Sequence, residues 1–282
     1  MPTSYSSLLS KMSNLQQRIV AGTIGGTLML SGIFINQWTY AGLFLLIAIF
    51  CLLEYTNLLI SSGYRLWKWY IIVGGAFIYA TVFFVQAQYW PAKAYALLLP
   101  LCFILPILEL FTAGANPLVA MSLSIFAWFY IALPFSLVHF IAIDNNGLYQ
   151  TENILLVLLL VWANDIGGYF GGRYFGKHKL YEKISPKKTW EGSLSGALFT
   201  VCVAGILQYT TLKYTWSHVF ITATIIVIAG SLGDLIESQY KRSLQIKDSG
   251  QSIPGHGGFL DRFDGFMYSI PFLVFYHYFF VI

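Results

Sequence analysis

The chain has 282 residues, of which 57% are hydrophobic, 18% aromatic and only 10% charged, with a formal net charge of +4. A mean hydropathy of +0.67 excludes a soluble globule with an ordinary charged surface and points to an all-α, polytopic helical bundle in a membrane. The cations are read as bordering the inner leaflet and its anionic headgroups rather than as a nucleic-acid-binding face, and no nucleic-acid partner is expected.

Apolar runs of roughly 17 to 25 residues are long enough to cross about 30 Å of hydrocarbon. About nine are read, approximately over 18–35, 38–60, 67–86, 95–112, 117–143, 153–175, 190–209, 216–239 and 266–282. The first run follows a mostly polar segment without a small-residue cleavage pattern, so it is expected to be a retained anchor. With the N-terminus cytoplasmic, nine crossings place fourteen of the sixteen Lys and Arg residues inside and leave Lys93 and Lys213 outside. That asymmetry is what short cytoplasmic loops show. Cys51, Cys102 and Cys202 each lie alone in an apolar run, with no spacing for a disulfide framework or a zinc site.

One membrane domain, 1–282, is the simplest division. Residues 1–150 read mainly as scaffold spans and 151–282 as the catalytic half, because acids, bases and glycines collect only in the second part. Glu54 and Glu109 fall near cytoplasmic span ends and are read as interfacial or helix-pairing residues, although an ionisable group inside a membrane is a functional candidate by default. In WANDIGGYFGGRYFG, from Trp162, the glycines Gly168, Gly172 and Gly176 are spaced four apart and allow another backbone to approach closely. Asp165 lies in the same stretch, roughly 15 Å of helix from the cytoplasmic end, where it needs a cation, a proton or a metal. A structural ion pair and a place in an active cavity both satisfy that need.

The next loop holds Ser185, Pro186, Lys187, Lys188 and Thr189 directly before a helix opening at Trp190. Retention of cations on the inner side explains their number. Their position also suits a helix entry that offers free N–H groups and ammonium groups to phosphate. Further on, Asp234, Glu237, Ser238 and Lys241 share one helical face at i, i+3, i+4 and i+7. Facing lipid, that stripe would be costly, so it should line a watery cavity between helices.

The polar stretch KDSGQSIPGHGGFLDRFDG follows and supplies Lys247, Asp248, His256, Gly257, Gly258, Asp261, Arg262 and Asp264. Its Pro and Gly residues suggest a tight backbone fold rather than a loose tail. Magnesium takes oxygen ligands and often bridges a carboxylate to substrate phosphates, so Asp234 and Asp261 are the first choice for a shared ion. Lys187, Lys188, Lys241, Arg242 and Arg262 would offset the charge of phosphorylated substrates. His256, with no second suitably spaced His or Cys, reads as a hydrogen-bonding or phosphate-contact residue.

From Gly233 to Gly265 the sequence GDLIESQYKRSLQIKDSGQSIPGHGGFLDRFDG resembles the signature of the phosphatidate cytidylyltransferases, and ISPKKTWEG and NDIGGYFGGRYFGKHKL upstream are similar to further segments of that family. The resemblance implies magnesium-dependent transfer of CMP from CTP to phosphatidate, giving CDP-diacylglycerol and pyrophosphate. It also implies a homodimer in a bacterial inner membrane, with a polar cavity open to the cytoplasm and to membrane lipid. It places metal on Asp234 and Asp261, with a second, monovalent cation beside magnesium. Catalytic roles are expected for Asp234, Asp261, Lys241, Arg242, Lys247 and Arg262, and substrate contacts for Ser185, Lys187, Lys188, Thr189, Ser238, His256, Gly257 and Gly258. Asp165, Asp248, Asp264 and Glu237 are secondary candidates. The rival readings are another CTP-using membrane enzyme and a transporter running ions past Asp165, Glu109 and Asp234.

Overall fold

The computed structural model describes residues 14–111, 116–211, 213–247, 249–250, 252–253 and 257–281. Among them the apolar runs form nine helical rods: α1 (Asn14–Ile35), α2 (Gln37–Ser61), α3 (Lys68–Gln86), α4 (Ala92–Leu110), α5 (Pro117–Ala142), α6 (Thr151–Phe175), α7 (Trp190–Thr211), α8 (Trp216–Ser243) and α9 (Leu260–Phe280). The seven from α2 to α8 are long and apolar enough to cross a membrane. In α1 the apolar part, Ile19–Ile35, is shorter, and the apolar run of α9 is interrupted by Tyr, Ser, Pro and His. The architecture is that of an all-helical polytopic membrane protein. Its one sheet among the described residues is a two-stranded antiparallel hairpin, β1 (Lys179–Tyr181) with β2 (Ser185–Thr189), in the loop between α6 and α7.

The core sits where α2, α3, α5, α6 and α9 meet. Tyr40, Phe44, Tyr79, Phe135 and Phe266 are buried there, and Phe44 and Phe135 both pack against Phe266 at ring separations of 5.8 and 5.9 Å. Buried polar tips find backbone partners, as a low-dielectric interior requires. Trp128 Nε1 donates to Ile71 O at 2.8 Å, joining α5 to α3, and the Tyr79 hydroxyl donates to Ala41 O at 2.9 Å, joining α3 to α2. Large apolar side chains on the outside of the rods, such as Phe103, Phe111, Leu194 and Phe280, are exposed, which suits hydrocarbon rather than water.

Two close helix contacts position the polar end of the bundle. The first joins α6 to α7. A Cβ on Gly167 would stand 2.7 Å from Phe199 Cβ, and one on Gly196 would stand 2.9 Å from Asn164 O, so small residues on both rods are what let the backbones meet. The glycine stripe read at 168, 172 and 176 is therefore only part of the contact. Gly167, beside it, makes the tighter approach, and α7 answers with Gly192 and Gly196. The second contact joins α8 to α9, where a Cβ on Gly233 would stand 2.6 Å from Tyr268 Cβ and 2.7 Å from Asp264 O.

Both α5 and α8 contain a five-residue π-turn, at Trp128–Ala132 and Ile226–Gly230 respectively. In α5 it comes just before Pro134, whose missing N–H interrupts regular helix bonding. In α8 it lies directly before Ser231 and Asp234. Such bulges change which face the following turn presents, and they often occur at functional sites.

Candidate active site

Asp165 and Arg173 come from the C-terminal half of α6, Lys187, Lys188 and Thr189 from β2, Ser193 from α7, Gly230, Ser231, Asp234 and Lys241 from α8, and Asp261, Arg262 and Asp264 from the first turns of α9. All of them line one cavity of about 650 Å³. The two aspartates expected to meet, Asp234 and Asp261, arrive on the neighbouring rods α8 and α9 and open onto that shared space.

Each is already paired with a lysine. Lys188 Nζ lies 2.6 Å from Asp234 Oδ2, and Ser238 Oγ donates to Asp234 Oδ1 at 3.3 Å. Lys241 Nζ lies 2.5 Å from Asp261 Oδ1 and 3.3 Å from Glu237. The second oxygen of Asp261 accepts from the backbone N–H groups of Ser249 and Gly258, both at 3.1 Å. The Lys241 side chain is 12% exposed, against 9% for Asp261 and 2% for Glu237. One buried cation therefore serves two buried carboxylates. Asp165, on α6, lines the same cavity.

The polar stripe on α8 faces inward as its spacing requires, with Glu237 and Ser238 buried. At the entry to α7, Thr189 Oγ1 accepts from Gly192 N at 3.2 Å and caps the helix. The hairpin that carries Lys187 and Lys188 is anchored from both sides. Glu191 accepts from the N–H groups of Lys177 and His178 at 3.0 and 3.1 Å. Arg242, held by Ile246 O at 2.8 Å in the turn after α8, donates to Ile184 O of the hairpin at 3.4 Å.

The structure thus brings together Asp165, Lys187, Lys188, Thr189, Asp234, Lys241, Asp261, Arg262 and Asp264. It does not bring Ser185, Glu237, Ser238, Arg242, Lys247, Gly257 or Gly258 to the cavity wall: Glu237 and Ser238 are buried on α8, Arg242 latches the hairpin, and Lys247 is exposed beyond the end of α8. Gly257 adopts φ +87°, a left-handed conformation that favours glycine, and its carbonyl accepts from Ile253 N at 2.9 Å. Gly258 supports Asp261 through its N–H. Asp248 and His256 lie outside the described residues.

Asn164, Tyr169, Arg173, Ser193, Gly230 and Ser231 also line the cavity and were not singled out from the sequence. Asn164 and Arg173 carried a signal, because they share the Trp162–Gly176 helical stretch with Asp165. Ser193, Gly230 and Ser231 carried none, as small residues in apolar runs are most often packing.

Among the described residues, no three His, Cys, Asp or Glu side chains are grouped closely enough to form a protein-only metal cage. The donor set instead consists of carboxylate oxygens spread around a cavity. That fits a hard divalent cation such as magnesium, which keeps waters and takes one or two carboxylates plus substrate phosphates.

The sequence profile of the Cytidylyltransferase family matches residues 16–280. The phosphatidate cytidylyltransferase of Bacillus subtilis is 40% identical over 147 residues, covering 52% of this chain and 54% of that protein. That of Staphylococcus epidermidis is 41% identical over 142 residues, 48% of this chain and 55% of its own. That of Haemophilus influenzae is 42% identical over 149 residues, 51% and 50%. The chain spans about half the length of the curated relatives it matches, while the family profile extends across nearly all of its helices. The chain belongs to the cytidylyltransferase family.

Proposed function

We propose that this chain transfers the CMP moiety of CTP to phosphatidate, forming CDP-diacylglycerol and pyrophosphate. A phosphate oxygen of phosphatidate attacks the α-phosphorus of CTP. The bond from that phosphorus to the bridging oxygen of the β-phosphate breaks, and pyrophosphate leaves with the electron pair. No proton must be removed from the nucleophile when the lipid phosphate is ionised, so a dedicated general base is not needed.

The observation that carries the reading is the mixture in one cavity of four aspartates, 165, 234, 261 and 264, with Lys187, Lys188, Lys241, Arg173 and Arg262. Nucleotidyl transfer needs positioning and charge neutralisation more than covalent help from the protein, and this set supplies both. Lys187 and Lys188, on a hairpin tied down at Glu191 and Arg242, offer ammonium groups to phosphate oxygens. Lys241 holds Asp261 in place. Asp234 and Asp261 would hold magnesium, which when bound neutralises the triphosphate and polarises the α-phosphorus. The names of the relatives support the choice of substrates.

The same reading puts the cavity end of the bundle on the cytoplasmic side of a bacterial inner membrane, where the cationic hairpin and the helix ends beside it would meet anionic headgroups. The enzyme would work there as a homodimer, with a monovalent cation beside the magnesium. The experiment is product analysis: the purified full chain in lipid nanodiscs with α-labelled CTP, phosphatidate and magnesium should yield label in a lipid and an equal amount of pyrophosphate. Phosphorylated lipid with free CDP would instead assign a kinase, and ion flux without nucleotide turnover a transporter.

A further inference from the structure

Glu54 belongs to α2, far from the polar stretch in sequence, yet it is only 7% exposed and reaches the loop that ends at α9. Its Oε2 accepts from Leu260 N at 2.9 Å and from Ser249 Oγ at 3.4 Å, across sequence separations of 206 and 195 residues. Leu260 opens α9, so its N–H is one of the donors a helix cannot satisfy internally. Glu54 satisfies it from another rod, with a negative charge at the positive end of the helix dipole. One turn earlier on α2, Phe50 stacks on Phe259 at 4.8 Å and 12°. The chain entering α9 is therefore gripped at two successive residues.

The grip continues to the cavity. Ser249 and Gly258 donate their N–H groups to Asp261, and Ser249 also donates its hydroxyl to Glu54. A Cβ on Gly258 would collide with Ser249 Oγ and Glu54 Oε2, and one on Gly250 would stand 3.0 Å from Glu54 Oε1. Ser249 and Gly258 thus lie between a carboxylate on α2 and a carboxylate on α9, and the first turns of α9 carry the cavity residues Asp261, Arg262 and Asp264.

We infer that Glu54 is a positioning residue of the transfer reaction: it holds Ser249, Gly258 and the start of α9, and so sets where Asp261 and Arg262 stand in the cavity. This rests on the transferase reading above. A helix-pairing role alone would account for burial, but not for a carboxylate bonded to the loop and to the first N–H of α9.

The test compares Glu54→Ala, Glu54→Gln and Gly258→Ala with the unaltered full chain in nanodiscs. It reads kcat and KM, the thermal midpoint, and amide hydrogen exchange of peptides covering 246–262 against peptides from α3 and α5. Supporting residues of this kind typically change activity by about 10–100-fold when removed. Glu54→Ala should lower kcat by at least about 10-fold on that scale, with faster exchange confined to 246–262. Glu54→Gln keeps an acceptor oxygen and should recover most of kcat and of the protection. Gly258→Ala should reproduce the alanine variant from the loop side.

Glu54→Ala with wild-type kcat, or with exchange accelerated equally throughout the bundle, overturns the inference, as does a glutamine variant no better than alanine. If the unaltered chain makes no lipid-linked CMP, the transferase reading fails on its own. The exchange arm then still decides whether Glu54 holds the loop.

Discussion

Replacing Lys241 with methionine keeps the length and much of the volume of the side chain while deleting its charge. In the structure that ammonium stands 2.5 Å from Asp261 and 3.3 Å from Glu237, and all three side chains are nearly shut off from solvent. Deleting one partner of a buried ion pair costs about 3–5 kcal/mol, because the remaining charge is stranded. Here two carboxylates lose their common cation, so Lys241→Met should fall at the upper end of that range, unless Asp261 leans on the Ser249 and Gly258 N–H groups that remain. Unfolding of the detergent-solubilised chain by denaturant reads the loss. The double variant Lys241→Met/Asp261→Asn removes the stranded charge along with the cation. It should be more stable than the sum of the single effects by at least about 1 kcal/mol, the size expected of residues in direct contact. A Lys241→Met chain within about 0.5 kcal/mol of wild type, the level of an ordinary surface substitution, would refute the picture of a buried, shared cation.

Other expectations follow from single contacts. Gly167→Val forces a branched side chain against Phe199 and Ser195 at the α6–α7 contact, and overpacking of this kind costs about 1–3 kcal/mol, which a lowered thermal midpoint would report. Thr189→Val removes the cap on Gly192 N; loss of such a cap is worth about 1 kcal/mol, and exchange at the start of α7 should rise while α8 is unchanged. Trp128→Phe removes the indole donor from Ile71 O, a carbonyl also bonded within α3, so the loss is that of one hydrogen bond, about 0.5–1.5 kcal/mol, visible in the same unfolding assay. Arg242→Ala frees the hairpin at Ile184. If Arg242 acts as a latch, it should raise KM for CTP through misplaced Lys187 and Lys188 rather than abolish turnover.

The rods were legible because apolar runs of membrane length leave the chain few alternatives, and those runs recur as helices within a few residues. Where a polar residue follows an apolar run, the limits were less apparent: α8 continues through its polar turn to Ser243, and α9 starts at Leu260, several residues before its apolar run. The hairpin was not foreseen, since SPKKT has no alternating apolar face and its pairing depends on anchors at Glu191 and Arg242.

Within the site, helical spacing on α8 anticipated the contact of Lys241 with Glu237. The pairs Lys188–Asp234 and Lys241–Asp261 join different elements, and no local pattern encodes them. Glu54 was the least legible of all. A lone acid in an apolar helix looks the same whether it pairs two rods or holds a loop about two hundred residues away in sequence, and only the packing of α2 against the start of α9 distinguishes the two.

The central claim is that Asp234 and Asp261 act together on a nucleotide at one end of the bundle. Its most direct test is turnover of Asp234→Asn and Asp261→Asn chains with labelled CTP, phosphatidate and graded magnesium, using preparations whose folding is matched by thermal midpoint. The account predicts that each variant loses at least about 100-fold in kcat, the scale seen when one group stabilising transition-state charge is removed, and that the magnesium dependence of what remains is altered. Near-normal turnover in both variants, with the magnesium dependence unchanged, would contradict it.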